Sequence, residues 1–477
     1  MKFHQKPIEM NRNLRKSLKT LGLTLLLVLP AAGITIQDTA AQDITNQTAE
    51  QDHPGSPVLP PGEEAAVQAA TSGEPQALPN RPEELETLQQ YYMTAVENNP
   101  ELASVRSAYE AQYQRANQMG VLPDPEVGVG YFINPSGDTD FFGRFSVSAM
   151  QMFPWFGTLS ARESSAENMG DAQRHRWTAR QLEIFHEIQQ VWLEYAEIQL
   201  SIEATEEIIE LIRDLEALVE TRYETGRVSQ ADMLRIQMEE DRLETRLENL
   251  MDQLNPLQEQ FQAVLGVEEP VDIEIPDRLP GRQVDHGREE LFRLALQQNP
   301  EFDRLSSARQ SYRQQEELAR LEGRPSFGVG VEMMGRDFTT MSMMPDMNES
   351  FVGMASIKIP LYRSRYEAKQ EEARLEIRRT EQAEQNVSNR LVSNLESALN
   401  SLRDARRNEE LITDRLLPKT EQALEILSEE YASGRASFDE VLQLQRELLD
   451  LELELIGELT RQNKAMATIE KLTGFDR

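Results

Sequence analysis

The feature that most constrains the fold of this chain is an internal duplication. Residues 98–102, Asn-Asn-Pro-Glu-Leu, recur 200 positions later as Gln-Asn-Pro-Glu-Phe at 298–302. Residues 226–229, Gly-Arg-Val-Ser, recur 208 positions later as Gly-Arg-Ala-Ser at 434–437. Matches that keep their order over most of a chain indicate repetition of one structural unit. The sequence therefore predicts a fold made of two similar halves.

The two predicted repeats cover residues 83–268 and 287–477, and a linker with three prolines joins them over 269–286. Each repeat shows the same succession of patterns: a helix, two strands, a very long helix, a tight turn and a return helix. The first helix of each repeat is predicted over about 83–119 and about 287–321.

The N-terminal residues read as a targeting segment. Six basic residues precede or border a short apolar stretch from Leu21 to Ala32, and small residues continue to Ala41. This order predicts a signal peptide over 1–41 that is removed on export, with an uncleaved anchor as the alternative. Residues 42–82 are rich in proline and glutamate and poor in apolar side chains, which predicts a disordered linker.

Composition excludes several functions. The chain has no cysteine, so it forms no disulfide, thiolate metal site or lipid-modified N-terminal cysteine. Its formal net charge of −33 excludes a phosphate-neutralising surface, so no nucleic-acid partner is expected. The five histidines lack metal-ligand spacing, and neither a nucleotide-binding loop nor a nucleophile elbow is present. We therefore expect no enzymatic activity and no cofactor, although an exported enzyme without a known motif is an alternative.

Four segments alternate apolar and polar residues with the period of a β-strand. They cover 127–133, 144–149, 326–333 and 351–359. A soluble antiparallel sheet and a transmembrane barrel both produce this pattern. Since about eight strands are needed to close a barrel, four strands make a barrel only if several chains contribute to it.

The long helices carry a coiled-coil pattern. Apolar residues from Ile188 to Val219 follow the alternating spacing of three and four, and no proline interrupts residues 159–223. The corresponding helix of the second repeat is predicted over about 364–431, with a kink at Pro418. A periplasmic coiled-coil scaffold or adaptor without a barrel is the alternative explanation of these helices.

Each long helix ends in a turn with the same residue types. Gly226 and Gly434 suit the left-handed position that follows a helix. Ser229 with Asp232, and Ser437 with Glu440, are spaced as capping boxes that begin the return helices. The pattern predicts two helical hairpins, and an exposed, repeated hairpin tip is a suitable docking point for a partner.

Together with these tips, three further motifs carry a resemblance to a known family. They are Asn-Pro-Glu-Leu at 99–102, Leu-Pro-Asp-Pro at 122–125 and Phe-Pro-Trp-Phe-Gly at 153–157. The chain resembles the TolC-like outer-membrane efflux proteins over about 83–477. The resemblance implies a mainly α fold with a β-barrel contribution: long coiled-coil helices form a periplasmic α-barrel, and four transmembrane strands per chain close as a 12-stranded barrel in a trimer.

The resemblance also implies a function and partners. The chain would be a homotrimeric channel in Gram-negative outer-membrane lipid, conducting substrates from periplasm to exterior within a tripartite efflux system. A periplasmic adaptor protein would link it to an inner-membrane pump of the resistance-nodulation-division type. The adaptor-docking tips would comprise Gly226, Arg227, Val228, Ser229, Gly434, Arg435, Ala436 and Ser437. Asp232 and Glu440 would lie at the periplasmic gate, with helix capping as the alternative role.

Methionines are concentrated between residues 333 and 354. Thioethers are soft ligands that suit Cu(I) and similar ions, so a metal-binding role is one interpretation and a flexible extracellular loop with apolar contacts is the other. The candidate ligands are Met341, Met343, Met344 and Met347. With the heavy-metal members of the family, this cluster makes cations of the copper and silver type the expected cargo.

Overall fold

A computed structural model describes residues 84–132, 144–226, 228–335 and 350–474. The expected signal peptide and the linker that follows it lie outside these residues. The first half contains α1 (Glu84–Asn98), α2 (Pro100–Met119), β1 (Glu126–Phe132), β2 (Arg144–Phe153), α3 (Thr158–Glu224) and α4 (Gln230–Leu265). The second half contains α5 (Arg288–Gln298), α6 (Pro300–Glu322), β3 (Ser326–Gly335), β4 (Ser350–Lys358), α7 (Arg363–Leu411), a π-helical turn (Ile412–Leu416), α8 (Leu417–Ala432) and α9 (Phe438–Thr473). The order of elements in the first half thus recurs in the second.

The first helix predicted in each half is in fact two helices, so that prediction was wrong. The break comes at Asn99-Pro100 and again at Asn299-Pro300. Proline lacks the N–H that a continuing helix needs, but it is suited to the first position of a new helix. Asn99 caps α2, since its Oδ1 accepts from Glu101 N at 2.9 Å and from Leu102 N at 3.1 Å.

The long helix of the first half is continuous and that of the second is interrupted. Helix α3 has 67 residues, which at about 1.5 Å per residue gives a length on the order of 100 Å. The interruption predicted at Pro418 takes the form of the π-helical turn immediately before it. The π-helical turn is wider than an α-helical turn, so it accommodates both the bulk of the proline ring and the absence of a proline N–H. This explains why the turn lies immediately before Pro418.

Buried apolar side chains from the packed helices form three clusters. Helix α3 packs against α2, α4 and α6, and α7 packs against α6 and α9. The cluster at the middle of α3 is covered by the non-helical segment between the halves, where Ile273 and Leu279 are buried. Hydrogen bonds hold this segment on the helices: for example, Trp192 Nε1 donates to Glu274 O at 2.9 Å, and Tyr91 OH donates to Asp272 O at 2.9 Å.

The four strands form one antiparallel sheet in the order β1-β2-β3-β4. The pairing of β2 with β3 joins the two halves, and β1 and β4 are the edges. One face of the sheet carries apolar side chains that lie exposed in the single chain. Val127 is 71% exposed and Val129 is 74% exposed. Others on the same face are Tyr131, Val329, Val331, Phe351 and Ile357.

The predicted fold class, long helices with a small antiparallel sheet, is confirmed. None of the helices within the described part of the chain combines the length and the apolar character required to cross a membrane.

Candidate functional site at the helical tips

Both tips are tight turns that pass through the left-handed backbone region. In the first, Gly226 has a φ of 69°, and its N–H donates to Tyr223 O at 2.9 Å. In the second, Gly434 has a φ of 78°, and its N–H donates to Tyr431 O at 3.0 Å. A side chain is strained in this region, which is why glycine occupies both positions.

The remaining tip residues divide into exposed and anchoring groups. Val228 and Ala436 are half-buried and pack on an apolar cluster that includes Ile236 and Phe438. The exposed tip residues are Gly226, Ser229, Gly434, Arg435 and Ser437. Arg227 lies outside the described residues. Each tip therefore presents a small polar surface on a fixed backbone.

The two candidate gate carboxylates both cap helices. The Asp232 Oδ2 accepts from Ser229 Oγ at 2.7 Å, and Ser229 Oγ accepts from Asp232 N at 3.3 Å. The Glu440 Oε2 accepts from Ser437 N at 2.9 Å and from Ser437 Oγ at 2.9 Å. Both capping boxes predicted from the sequence are thus present. The gate role of these residues stays a prediction.

Capping also affects the charge of the second carboxylate. The hydrogen bonds from the backbone and side chain of Ser437 lower the pKa of Glu440 below its ordinary value, because they favour the ionised form. Glu440 is exposed and stays charged at neutral pH. The capped state therefore preserves a full negative charge at the start of α9.

An arginine that the sequence analysis did not single out joins the two tips. Arg222, in the last turn of α3, donates from Nη1 to Tyr431 O at 3.0 Å and from Nη2 to Ala432 O at 3.2 Å. Its guanidinium also lies 4.7 Å from the centre of the Tyr431 ring. The two acceptors are terminal carbonyls of α8, where the helix dipole favours a cation. Arg222 thus connects the first hairpin to the second.

Two ion pairs between α4 and α9 add to this connection. The Arg235 Nη1 lies 3.2 Å from Asp439 Oδ1 at the exposed start of both helices. Further along, Arg446 pairs with Glu239, which is only 5% exposed. Arg242 also approaches Glu239 at 3.5 Å. A carboxylate buried to this extent is costly unless it is paired, so the contact with Arg446 holds α9 against α4.

The methionines proposed as metal ligands from the sequence, residues 341, 343, 344 and 347, lie outside the described residues. In the described part of the chain, no group of three or more histidine, aspartate or glutamate side chains is arranged to hold a metal ion.

Comparison with known proteins agrees with the architecture. Residues 291–475 match the family described as Outer membrane efflux protein. No curated protein matches the sequence significantly. The match covers most of the second half, which includes the tip at residues 434–437.

Solved structures share the fold along almost their whole length. The outer membrane protein VceC from Vibrio cholerae aligns with a TM-score of 0.67 at 15% identity, over 82% of this chain and 96% of VceC. The outer-membrane channel OprN aligns with a TM-score of 0.70 at 14% identity, over 85% and 95% of the two chains. The open MtrE channel of Neisseria gonorrhoeae gives a TM-score of 0.66 at 12% identity, over 81% and 89%.

Over residues 291–475 the chain thus matches the Outer membrane efflux protein family, and its fold is that of the solved outer-membrane channels. Both findings agree with the resemblance to TolC-like outer-membrane efflux proteins inferred from the sequence motifs. They also agree with the expected location in a Gram-negative outer membrane and with a passive channel in place of an enzyme.

We predict that Arg222→Met loosens both tips. The change removes two charge-assisted hydrogen bonds on the surface of the protein, which is worth about 1 kcal/mol, or roughly a fivefold rise in local opening. Hydrogen exchange measured by mass spectrometry should show faster exchange for amides near Gly226 and near Gly434. Arg213→Met is the matched control, because Arg213 pairs with Glu240 and Glu244 within the first hairpin alone. Unchanged exchange around Gly434 in the Arg222 variant would contradict the connection.

Proposed function

We propose that three copies of the chain assemble into one outer-membrane channel. The observation that carries this proposal is the exposed apolar face of a four-stranded sheet whose edge strands, β1 and β4, have no neighbour within the described chain. A sheet of four strands is too small to close, whereas four strands from each of three chains would give a twelve-stranded barrel. The apolar face would contact lipid, and the opposite face would line the lumen.

We infer that the tips dock onto a periplasmic adaptor, which connects the channel to an inner-membrane pump. Two features support this role. The tips are at the ends of α3 and α8, far along the chain from the sheet, and each exposes the same glycine-containing turn. Their anchoring by Val228, Ala436 and Arg222 gives an adaptor a rigid surface, which lowers the entropy lost on docking.

We also propose that Asp232 and Glu440 restrict the periplasmic entrance. In a trimer, two carboxylates from each of three chains would lie near one axis. Crowded carboxylates repel one another and attract cations, so they would make the entrance selective for cations. The cargo proposed for this channel is a heavy-metal cation of the copper or silver type, in keeping with the concentration of methionines between residues 333 and 354.

Conduction and selectivity are tested together in planar lipid bilayers. We predict that the purified protein forms discrete cation-selective channels, and that the double variant Asp232→Asn, Glu440→Gln conducts with a reversal potential closer to zero in a potassium chloride gradient. Asparagine and glutamine keep a side-chain oxygen that can accept the capping hydrogen bonds. Both helices therefore keep their N-terminal caps, while the negative charge is lost.

The possible results separate the two proposals. Absence of discrete conductance in the wild type would contradict the channel. Conductance with identical selectivity in the wild type and the double variant would restrict Asp232 and Glu440 to helix capping.

Docking is tested by substitution of the tip glycines. We predict that Gly226→Val with Gly434→Val abolishes efflux while the protein still inserts in the outer membrane. A β-branched residue with positive φ costs about 1–2 kcal/mol at each tip and distorts the turn. The measurement is growth of the native host on exported toxic compounds, together with the amount of channel in isolated outer membranes.

Gly287→Val is the matched control for this test. Like the tip glycines, Gly287 has open space where a Cβ would lie, but its φ is −65°, so valine is not strained there. Full efflux in the double tip variant would show that the tips are not the docking surface.

A further inference from the structure

The second face of the sheet is mainly polar, and its apolar side chains are Val352 and a group of methionines among the described side chains. Along the strands this face carries serines 146, 148, 326 and 356 and the charged Glu332 and Lys358. Methionine is the large apolar residue type that recurs among them, at positions 150, 152, 334 and 354. The exposed apolar surface of the opposite face is mainly valine, isoleucine, phenylalanine and tyrosine, and Met333 is its one methionine among the described residues.

Three of the methionines surround two glycines. The strand register places Met150 beside Gly330 and Met354 on the other side of Gly330. In the next row, Met152 and Ser356 lie on either side of Gly328. Because the glycines lack side chains, they form a shallow floor between the three thioethers and the serine hydroxyl.

The sulfur atoms of Met150 and Met152 converge over this floor. The Ser356 Oγ lies 3.7 Å from Met150 Sδ and 3.9 Å from Met152 Sδ. A Cβ built on Gly328 would lie 2.6 Å from Met152 Sδ and 3.5 Å from Met150 Sδ. The thioethers therefore fold inward over the glycine instead of extending away from the sheet.

This arrangement has the chemistry of a soft-cation site. Thioether sulfur is a soft ligand that favours Cu(I) and Ag(I) over magnesium, calcium or zinc. The methionine side chains are half-buried and keep some exposed surface, so an ion can reach the sulfurs from the polar side. Methionine is also flexible, and small rotations about its three torsions bring two sulfurs onto one ion.

We propose that Met150 and Met152, together with Met354 and Ser356, form a binding site for a soft monovalent cation on the polar face of the sheet. The site would lie in the lumen if the proposed barrel forms, and in that respect the inference rests on the proposed function. Binding in a conduction path must be weak enough to release the ion, so the site is an exchangeable one. It does not include Met341, Met343, Met344 or Met347, the candidate ligands singled out from the sequence.

The direct test is calorimetric titration of the full, detergent-purified protein with silver nitrate in chloride-free buffer. We expect saturable binding by the wild type and at least tenfold weaker binding by Met150→Leu with Met152→Leu. Leucine conserves volume and apolar character, so the sheet is expected to tolerate it. The control is Met238→Leu with Met251→Leu, which removes the same number of exposed thioethers from α4 and should bind like the wild type.

A second measurement needs no variant. Silver should slow peroxide oxidation of Met150 and Met152, as followed by peptide mass spectrometry, and leave the exposed Met238 on α4 unprotected. The proposal is overturned if the double leucine variant binds silver like the wild type, or if silver does not protect the two methionines. Failure here with normal conductance in bilayers would refute this site alone, whereas absent conductance with intact silver binding would refute the channel and leave the site.

Discussion

The architecture depends on a sheet that one chain cannot complete. In the described part of the chain, the edge strands β1 and β4 have no further sheet neighbour, and the apolar face from Val127 to Ile357 has no cover. Unpaired edges and exposed apolar surface are unfavourable in water and favour association. The proposed closure with further copies in lipid would remove both costs and would link the fold of the chain to its assembly.

The long helices connect the sheet to the helical tips. Helix α3 begins five residues after β2 and continues without a break to the first tip. At the tips, separate hairpins from the two halves are held together by arginines: Arg222 on the end of α8, Arg235 on Asp439, and Arg446 on the buried Glu239. These contacts fix the two tips relative to one another, and the pair of Arg446 with the buried Glu239 is costly to break.

Local rules were enough to predict much of the fold. Alternation located the four strands to within a few residues, and the Gly-x-x-Ser spacing located both tips with their capping boxes. The break at Asn99-Pro100 was missed because apolar periodicity continues across it, although the Asn-Pro pair itself was the available signal. The sequence also did not predict the form of the interruption near Pro418, since a proline is compatible both with a π-helical turn and with a simple kink.

The contacts between the halves of the site were not predictable in the same way. Arg222 contacts Tyr431, which is 209 residues away along the chain, and Arg446 contacts Glu239, which is 207 residues away. The same holds for Met150 and Met354, which only the strand register brings to either side of Gly330. Such contacts form because the two repeats pack against each other in space. A single sequence carries no local pattern that predicts them.

The most direct test of the account is whether β4 of one chain lies beside β1 of the next in a closed ring. Because the natural chain has no cysteine, Val129→Cys on β1 and Ala355→Cys on β4 can be joined by a short bis-maleimide in outer membranes without background reaction. The account predicts covalent dimers and trimers that end at the trimer, and no products from either single-cysteine variant. A ladder that continues beyond the trimer, or a chain that stays monomeric while its sheet is intact, would contradict it.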